Sequence, residues 1–98
     1  MTTLQFSDHA RSRIRHRGLR ERDVQAIVGR AEGEADVGQG LVSLFLTAAQ
    51  RRQRPVPVDG YRMPDAAFRT AVVIDPRSLT IVTVLKMYGH AGRRYARP

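Results

Sequence analysis

Arg69-Thr70-Ala71-Val72-Val73-Ile74-Asp75-Pro76-Arg77-Ser78-Leu79-Thr80-Ile81-Val82-Thr83-Val84-Leu85-Lys86-Met87 is the stretch whose reading decides the fold. Two β-rich runs, Arg69 to Ile74 and Leu79 to Met87, flank Asp75-Pro76-Arg77-Ser78, where Asp at the first and Pro at the second turn position suit a type I turn. With those four residues as the loop, Ile74 opposes Leu79, Val72 opposes Ile81 and Thr70 opposes Thr83. That register gathers the apolar residues of both strands on one face, which must be covered. The other face carries Arg69, Ala71 and Val73 beside Thr80, Val82, Val84, Lys86 and Tyr88, so Lys86 and Ile81 are expected on opposite faces.

The cover is expected from the N-terminal third. Ser7 can cap a helix that runs to Gly18, with Asp8 at the positive helix N-terminus and Gly18 as a left-handed C-terminal cap. Ala10 and Ile14 form a narrow apolar stripe on it, beside a face holding His9, Arg13, His16 and Arg17. A second helix is predicted from about Arg20 to Ala31, because Val24, Ile27, Val28 and Ala31 follow i, i+3, i+4, i+7 spacing. Leu19 and Val24 have the spacing of a hydrophobic staple, Glu21 and Asp23 suit the first turn, and Arg20 is a poor cap. The short connection between the two makes an αα-hairpin.

Glu32 to Gly40 reads as a Gly-containing turn and Leu41 to Thr47 as a strand. The stretch from Ala48 to Phe68 carries Arg51, Arg52, Arg54, Pro55, Pro57 and Pro64, which argues against a central strand. It is expected to be a long hairpin arm with a short strand near Val56 to Arg62, or else a solvated loop. The sum is one α+β domain over residues 1–98: two N-terminal helices packed on one face of an antiparallel β-sheet, an Arg/Pro-rich arm at 48–68 and a basic tail at 89–98.

At 98 residues the chain can bury one core, and with 42% apolar and 27% charged residues it has the composition of a globular domain. Its seventeen Lys+Arg against nine Asp+Glu give a formal charge of +8, which points to a polyanionic partner. All of these cations but Lys86 are Arg, whose guanidinium pairs with phosphate bidentately and stacks on bases. A GC-rich genome also explains Arg over Lys, but it does not explain the net charge. Lack of cysteine excludes disulfides, thiolate nucleophiles and cysteine-held metals. The three histidines, His9, His16 and His90, form no HxH or HExxH motif, so neither a metal nor another cofactor is expected. The opening MTTLQFSDHA has no apolar signal region and no apolar run approaches membrane-spanning length, so a cytoplasmic location without membrane contact is expected.

Three groups of residues are candidates for chemistry. On the outer face of the hairpin, Arg69, Lys86 and Tyr88 are neighbours: cations can stabilise charge developing on phosphorus, and a phenol or imidazole can exchange protons. RNA supplies its own nucleophile in the 2′-OH. The competing reading has Lys86 blunting a strand end and Tyr88 packing on it. His9, Arg13 and Arg17 line one helix face at i, i+4 and i+8, either as a phosphate-binding row or as a solvated basic face. The tail interleaves Arg93 and Arg94 with Tyr95 and His90, suited to holding a phosphate backbone, or else simply a disordered basic tail. On the expected register His9 lies across the sheet from Lys86 and Tyr88, so they can share a site only around a sheet edge, and His90 is the alternative imidazole.

The stretch Phe6-Ser7-Asp8-His9-Ala10, then Arg13, Arg17-Gly18-Leu19 and Asp23-Val24, resembles the F-T-x-H-A-x-x-R-x-x-x-R-G-[IL]-x-x-x-D-[IV] opening of a bacterial family of small domains of unknown function. Val72-Val73-Ile74-Asp75 and Ile81-Val82-Thr83-Val84 resemble that family's closing strands. The family is grouped with the barnase, colicin D and RelE-like nuclease folds, many of whose members are RNase toxins. The resemblance covers about half the chain and implies a RelE-like fold, with functional roles for His9 and Arg13 helped by Arg17 and the last strand. Ser7 replaces the commoner Thr, and the Arg/Pro-rich middle has no counterpart.

Residues and resemblance together lead to the expectation of a metal-independent, toxin-type ribonuclease acting by 2′-OH attack. His9 or His90 would be acid or base, Lys86 with Arg13 and Arg69 would stabilise the transition state, and Tyr88 would assist proton transfer. Arg17, Arg51, Arg52, Arg69, Arg93 and Arg94 would bind RNA, and an acidic antitoxin or immunity-type protein is the candidate protein partner. A non-catalytic RNA- or DNA-binding module, or a protein whose Arg-rich arm docks an acidic partner, are the alternatives. Cleavage in EDTA separates the first from both.

Overall fold

A computed structural model describes residues 4–53 and 60–87. The elements are β1 (Gln5–Phe6), α1 (Asp8–His16), α2 (Glu21–Arg30), β2 (Gly33–Gly38), β3 (Leu41–Phe45), α3 (Ala48–Gln53), a 3₁₀ helix (Asp65–Arg69), β4 (Thr70–Asp75) and β5 (Thr80–Lys86). The five strands form one sheet in the order β1-β5-β4-β3-β2. The fold is α+β, with α1 and α2 lying over one sheet face. Ala10, Ile14, Leu19, Val24 and Ile27 from that hairpin bury against Val72, Ile74, Ile81 and Val84. Fully burying an aliphatic side chain of this size stabilises the fold by about 1.5–3 kcal/mol.

Both early helices start and stop as their sequences dictate. Ser7 is extended, at φ −69° and ψ 160°, and its hydroxyl accepts from the Ala10 N–H at 3.0 Å. Gly18 takes φ +71° just past the helix end. Arg20 supplies no side-chain cap to α2; instead the Asp23 carboxylate accepts from the Arg20 N–H at 2.9 Å, the reverse half of a capping box.

The sheet differs from expectation in three places. It is mixed and not purely antiparallel, because the two-residue β1 runs parallel to β5, with Gln5 N–H donating to the Leu79 carbonyl at 2.9 Å and Ser7 N–H to Ile81 at 3.1 Å. A strand that short shows no periodicity. Glu32 to Gly40, read as a turn, contains β2, paired with β3. Its inward positions are Gly33 and Ala35, too small to register as apolar, and the Phe45 ring lies against the backbone of Gly33, where any Cβ would collide with it. The true turn is Gly38-Gln39-Gly40, all three at positive φ.

The third difference is the register of the β4–β5 hairpin. Asp75 stays in the strand and pairs with Thr80, so the reversal falls at Pro76 to Leu79, and Leu79 takes φ +55°. Asp75 stabilises that turn by accepting from the Arg77 N–H at 3.0 Å. Ile74 therefore pairs with Ile81, Val72 with Val84 and Thr70 with Lys86. Between Thr83, opposite Val73, and Ile81, opposite Ile74, Val82 is an extra residue: a β-bulge. Its carbonyl accepts from the Ser7 hydroxyl at 3.1 Å. One extra residue turns every later side chain of β5 to the other face. Val84 thus joins Ile81 under the helices, and Lys86 lies on the same face as Ile81, correcting the expected arrangement.

The described residues of the arm at 48–68 do not pair as a hairpin. Its elements are α3 and the 3₁₀ helix; of the short strand expected near Val56 to Arg62, residues 56–59 lie outside the described residues and 60–62 carry only an isolated bridge at Tyr61. Thr47-Ala48-Ala49-Gln50 is a complete capping box: the Thr47 hydroxyl accepts from Gln50 N–H at 3.2 Å, and Gln50 Oε1 accepts from Thr47 N–H at 3.0 Å. The same Oε1 accepts from Glu32 N–H at 3.0 Å, and Gln50 Nε2 donates to the Arg30 carbonyl at 2.7 Å.

Candidate functional site

At the end of the sheet where β4 begins and β5 ends, a cavity of about 800 Å³ opens beneath the C-terminal turn of α1. Helix α1 contributes Arg13 and His16, and Arg17 follows directly. Arg51 comes from α3, Asp65, Ala66, Phe68 and Arg69 from the 3₁₀ helix, Thr70 from β4 and Lys86 from β5. Five cations and one imidazole face one carboxylate across this space. Cations at the end of α1 are locally favoured, because the helix C-terminus carries the negative end of the backbone dipole.

Each cation is placed by a different device. The bulge at Val82 turns Lys86 toward α1, and the Thr70–Lys86 pair sets it beside the floor of the cavity. The capping box aims Arg51, whose Nη1 donates to the Leu46 carbonyl at 2.9 Å. The 3₁₀ helix is pinned to β4 by the Thr70 hydroxyl, which donates to the Ala66 carbonyl at 2.8 Å, and the Met87 N–H donates to the Arg69 carbonyl at 2.7 Å. Arg69 and Lys86 are therefore held at the same end of the β4–β5 pair.

The cavity unites residues that the sequence had divided between two groups. Arg13 and Arg17 from the helix row meet Arg69 and Lys86 from the hairpin, and Arg51 from the arm joins them. The separation across the sheet disappears because the bulge moves Lys86 to the helix side. His9 is exposed and does not line the cavity; it sits one helical turn, about 6 Å along the axis, before Arg13. Arg52 is exposed and also lies outside it. Tyr88, His90, Arg93 and Arg94 lie outside the described residues.

His16 is the functional candidate that the sequence groups omitted. Its spacing of i+3 from Arg13 placed it on the right face of α1, but nothing in the sequence marked the C-terminal turn as the end that meets the sheet. Thr47-x-x-Gln50 was the readable signal for α3. Among the described residues, no three His, Asp or Glu side chains converge as a metal-ligating set.

A second, smaller cavity of about 370 Å³ is lined in part by Arg20, Arg22, Asp23, Tyr61 and Arg62. The buried Asp23 accepts from the Tyr61 hydroxyl at 2.6 Å, and the Arg22 guanidinium stands 4.5 Å from the Tyr61 ring centroid. Burial, then the hydrogen bond to Asp23 and its charge, push the Tyr61 phenol up to about 12. This phenol is a fixed group, not a proton carrier near neutrality.

No helix among the described residues is long and apolar enough to cross a membrane. The chain matches no protein-family model, no curated protein and no solved structure.

Proposed function

We propose that the chain binds RNA in the larger cavity and cleaves it without a metal, by attack of the 2′-OH on the neighbouring phosphorus. The single observation that carries this reading is the convergence of Arg13, Arg17, Arg51, Arg69 and Lys86 around one space that also holds His16. Cations on several sides of a phosphodiester stabilise the extra negative charge of a phosphorane-like transition state, and they do so without reorganising. Imidazole is the side chain that ordinarily changes charge near neutrality, which suits His16 to take the 2′-OH proton. A proton for the leaving 5′-oxygen then comes from solvent or from His9, the second imidazole, about two turns before His16 on α1. The products are a 2′,3′-cyclic phosphate and a 5′-hydroxyl. Such an activity belongs in the cytoplasm, and an acidic antitoxin that fills the cavity is the protein partner this chemistry fits. The RelE-like resemblance of the opening and closing residues agrees with this reading.

The test is to incubate purified protein with RNA in EDTA and to look for 2′,3′-cyclic phosphate ends. Wild type is expected to cleave RNA and to bind the corresponding DNA, which lacks the nucleophile, without cutting it. His16→Ala and Lys86→Ala are each expected to slow cleavage by about a hundredfold or more with folding retained. Cleavage unchanged in both variants would overturn the assignment. RNA bound but never cleaved would instead select the non-catalytic binding module, which uses the same cations and needs no proton transfer.

A further inference from the structure

We infer that the smaller cavity is a second nucleotide subsite, and that the ligand is a single-stranded RNA segment running across both cavities. The inference rests on the reading of the larger cavity as an RNA site. The linings of the two cavities meet in sequence at two places. Arg17 lines one and Gly18 the other, and likewise Asp65 and Pro64, so consecutive residues of two separate segments divide them. Consecutive Cα atoms are only about 3.8 Å apart. The divide is bare at Gly18, where a Cβ would meet no atom within 4 Å. A flexible strand can cross there.

The smaller cavity offers what an unstacked nucleotide needs. Arg20, Arg22 and Arg62 are exposed cations around it, suited to the phosphate on one side of a base. Arg22 supplies an exposed planar guanidinium that is fixed in advance: it lies over the Tyr61 ring at 4.5 Å from the centroid, and that ring is held by its hydroxyl on Asp23 at 2.6 Å and by packing on the core. Bases stack on guanidinium planes as on aromatic rings, and ordering that plane before binding lowers the entropy lost on binding. Stacking on such a platform requires a base out of its helix, which selects single strands over duplexes.

The experiment measures binding of a 2′-O-methyl octanucleotide, which has no free nucleophile, and of its dinucleotide by competition. The double variant Arg22→Ala/Arg62→Ala is expected to lower the ratio of octanucleotide to dinucleotide affinity by about tenfold or more. Arg62→Ala alone, which leaves the Arg22–Tyr61 contact untouched, is expected to move the ratio in the same direction. Wild type is expected to prefer the single strand to the same sequence in a duplex. An unchanged ratio, or a preference for duplex, overturns the second subsite while Arg13→Ala and Lys86→Ala still weaken octanucleotide binding. Binding unaffected by Arg13→Ala and Lys86→Ala overturns the reading of the larger cavity, and this inference with it.

Discussion

A single hydrogen-bonded phenol shows how much one buried carboxylate organises in this protein. Asp23 accepts from the Arg20 N–H at 2.9 Å and from Tyr61 at 2.6 Å, so it both starts α2 and fixes the aromatic ring beside it. The Tyr61 phenol is raised to about 12, against an unfolded value near 10. Because the folded state holds the proton more tightly, the associated stability is fully present below about pH 10 and is lost as pH rises toward 12. Urea unfolding at pH 9 and pH 11 should therefore show a steeper loss of stability for wild type than for Tyr61→Phe. Equal losses would mean that the folded state does not raise the phenol, so that it is neither buried nor bonded to Asp23 in solution. Asp23→Ala should cost about 1–3 kcal/mol, since two donors lose their shared acceptor.

Between residues and fold stand two small devices that aim the cavity's side chains. Ser7 caps α1 and donates to the Val82 carbonyl at the bulge, so one hydroxyl couples the start of a helix to the face on which Lys86 appears. Ser7→Ala should lower stability by about 1–2 kcal/mol in denaturant titration, with Ser7→Thr close to wild type. Gln50 closes the capping box of α3 and also satisfies Glu32 N–H and the Arg30 carbonyl while only 8% exposed. Gln50→Glu keeps the acceptor and removes the donor, leaving the Arg30 carbonyl facing a carboxylate. It should destabilise the fold by about 1–3 kcal/mol and weaken RNA binding through Arg51, which lies next to it. A variant as stable as wild type would show that the clip does not form.

The chain carries a formal charge of +8, and its fold gathers five of its seventeen cations, with Asp65, at one end of the sheet. If all five engage phosphates of a single strand, the log–log salt slope of binding is about −3.5, and affinity falls roughly a hundredfold between 50 and 200 mM salt. Removing Arg13 and Lys86 together should flatten the slope by about 1.4. A slope indifferent to these two residues would place the binding surface elsewhere. Local sequence determined the elements whose signals are local: the Ser7 cap, Gly18, the spacing of Val24 and Ile27, and the two β-rich runs around Asp75 and Pro76. It also set the charge and the exclusion of thiol chemistry. β2 escaped because its inner positions are Gly33 and Ala35, and the hairpin register escaped because two offsets fit the same apolar pattern near the turn. Only the tertiary structure chose between them: the bulged register buries Val84 beside Ile81 under the helices, and a hydroxyl 75 residues away in sequence donates to the Val82 carbonyl that the bulge presents. That choice carries Lys86 to the helix side, and with it Arg13, His16 and Arg69 into one cavity, because a strand's faces alternate and a single extra residue reverses them.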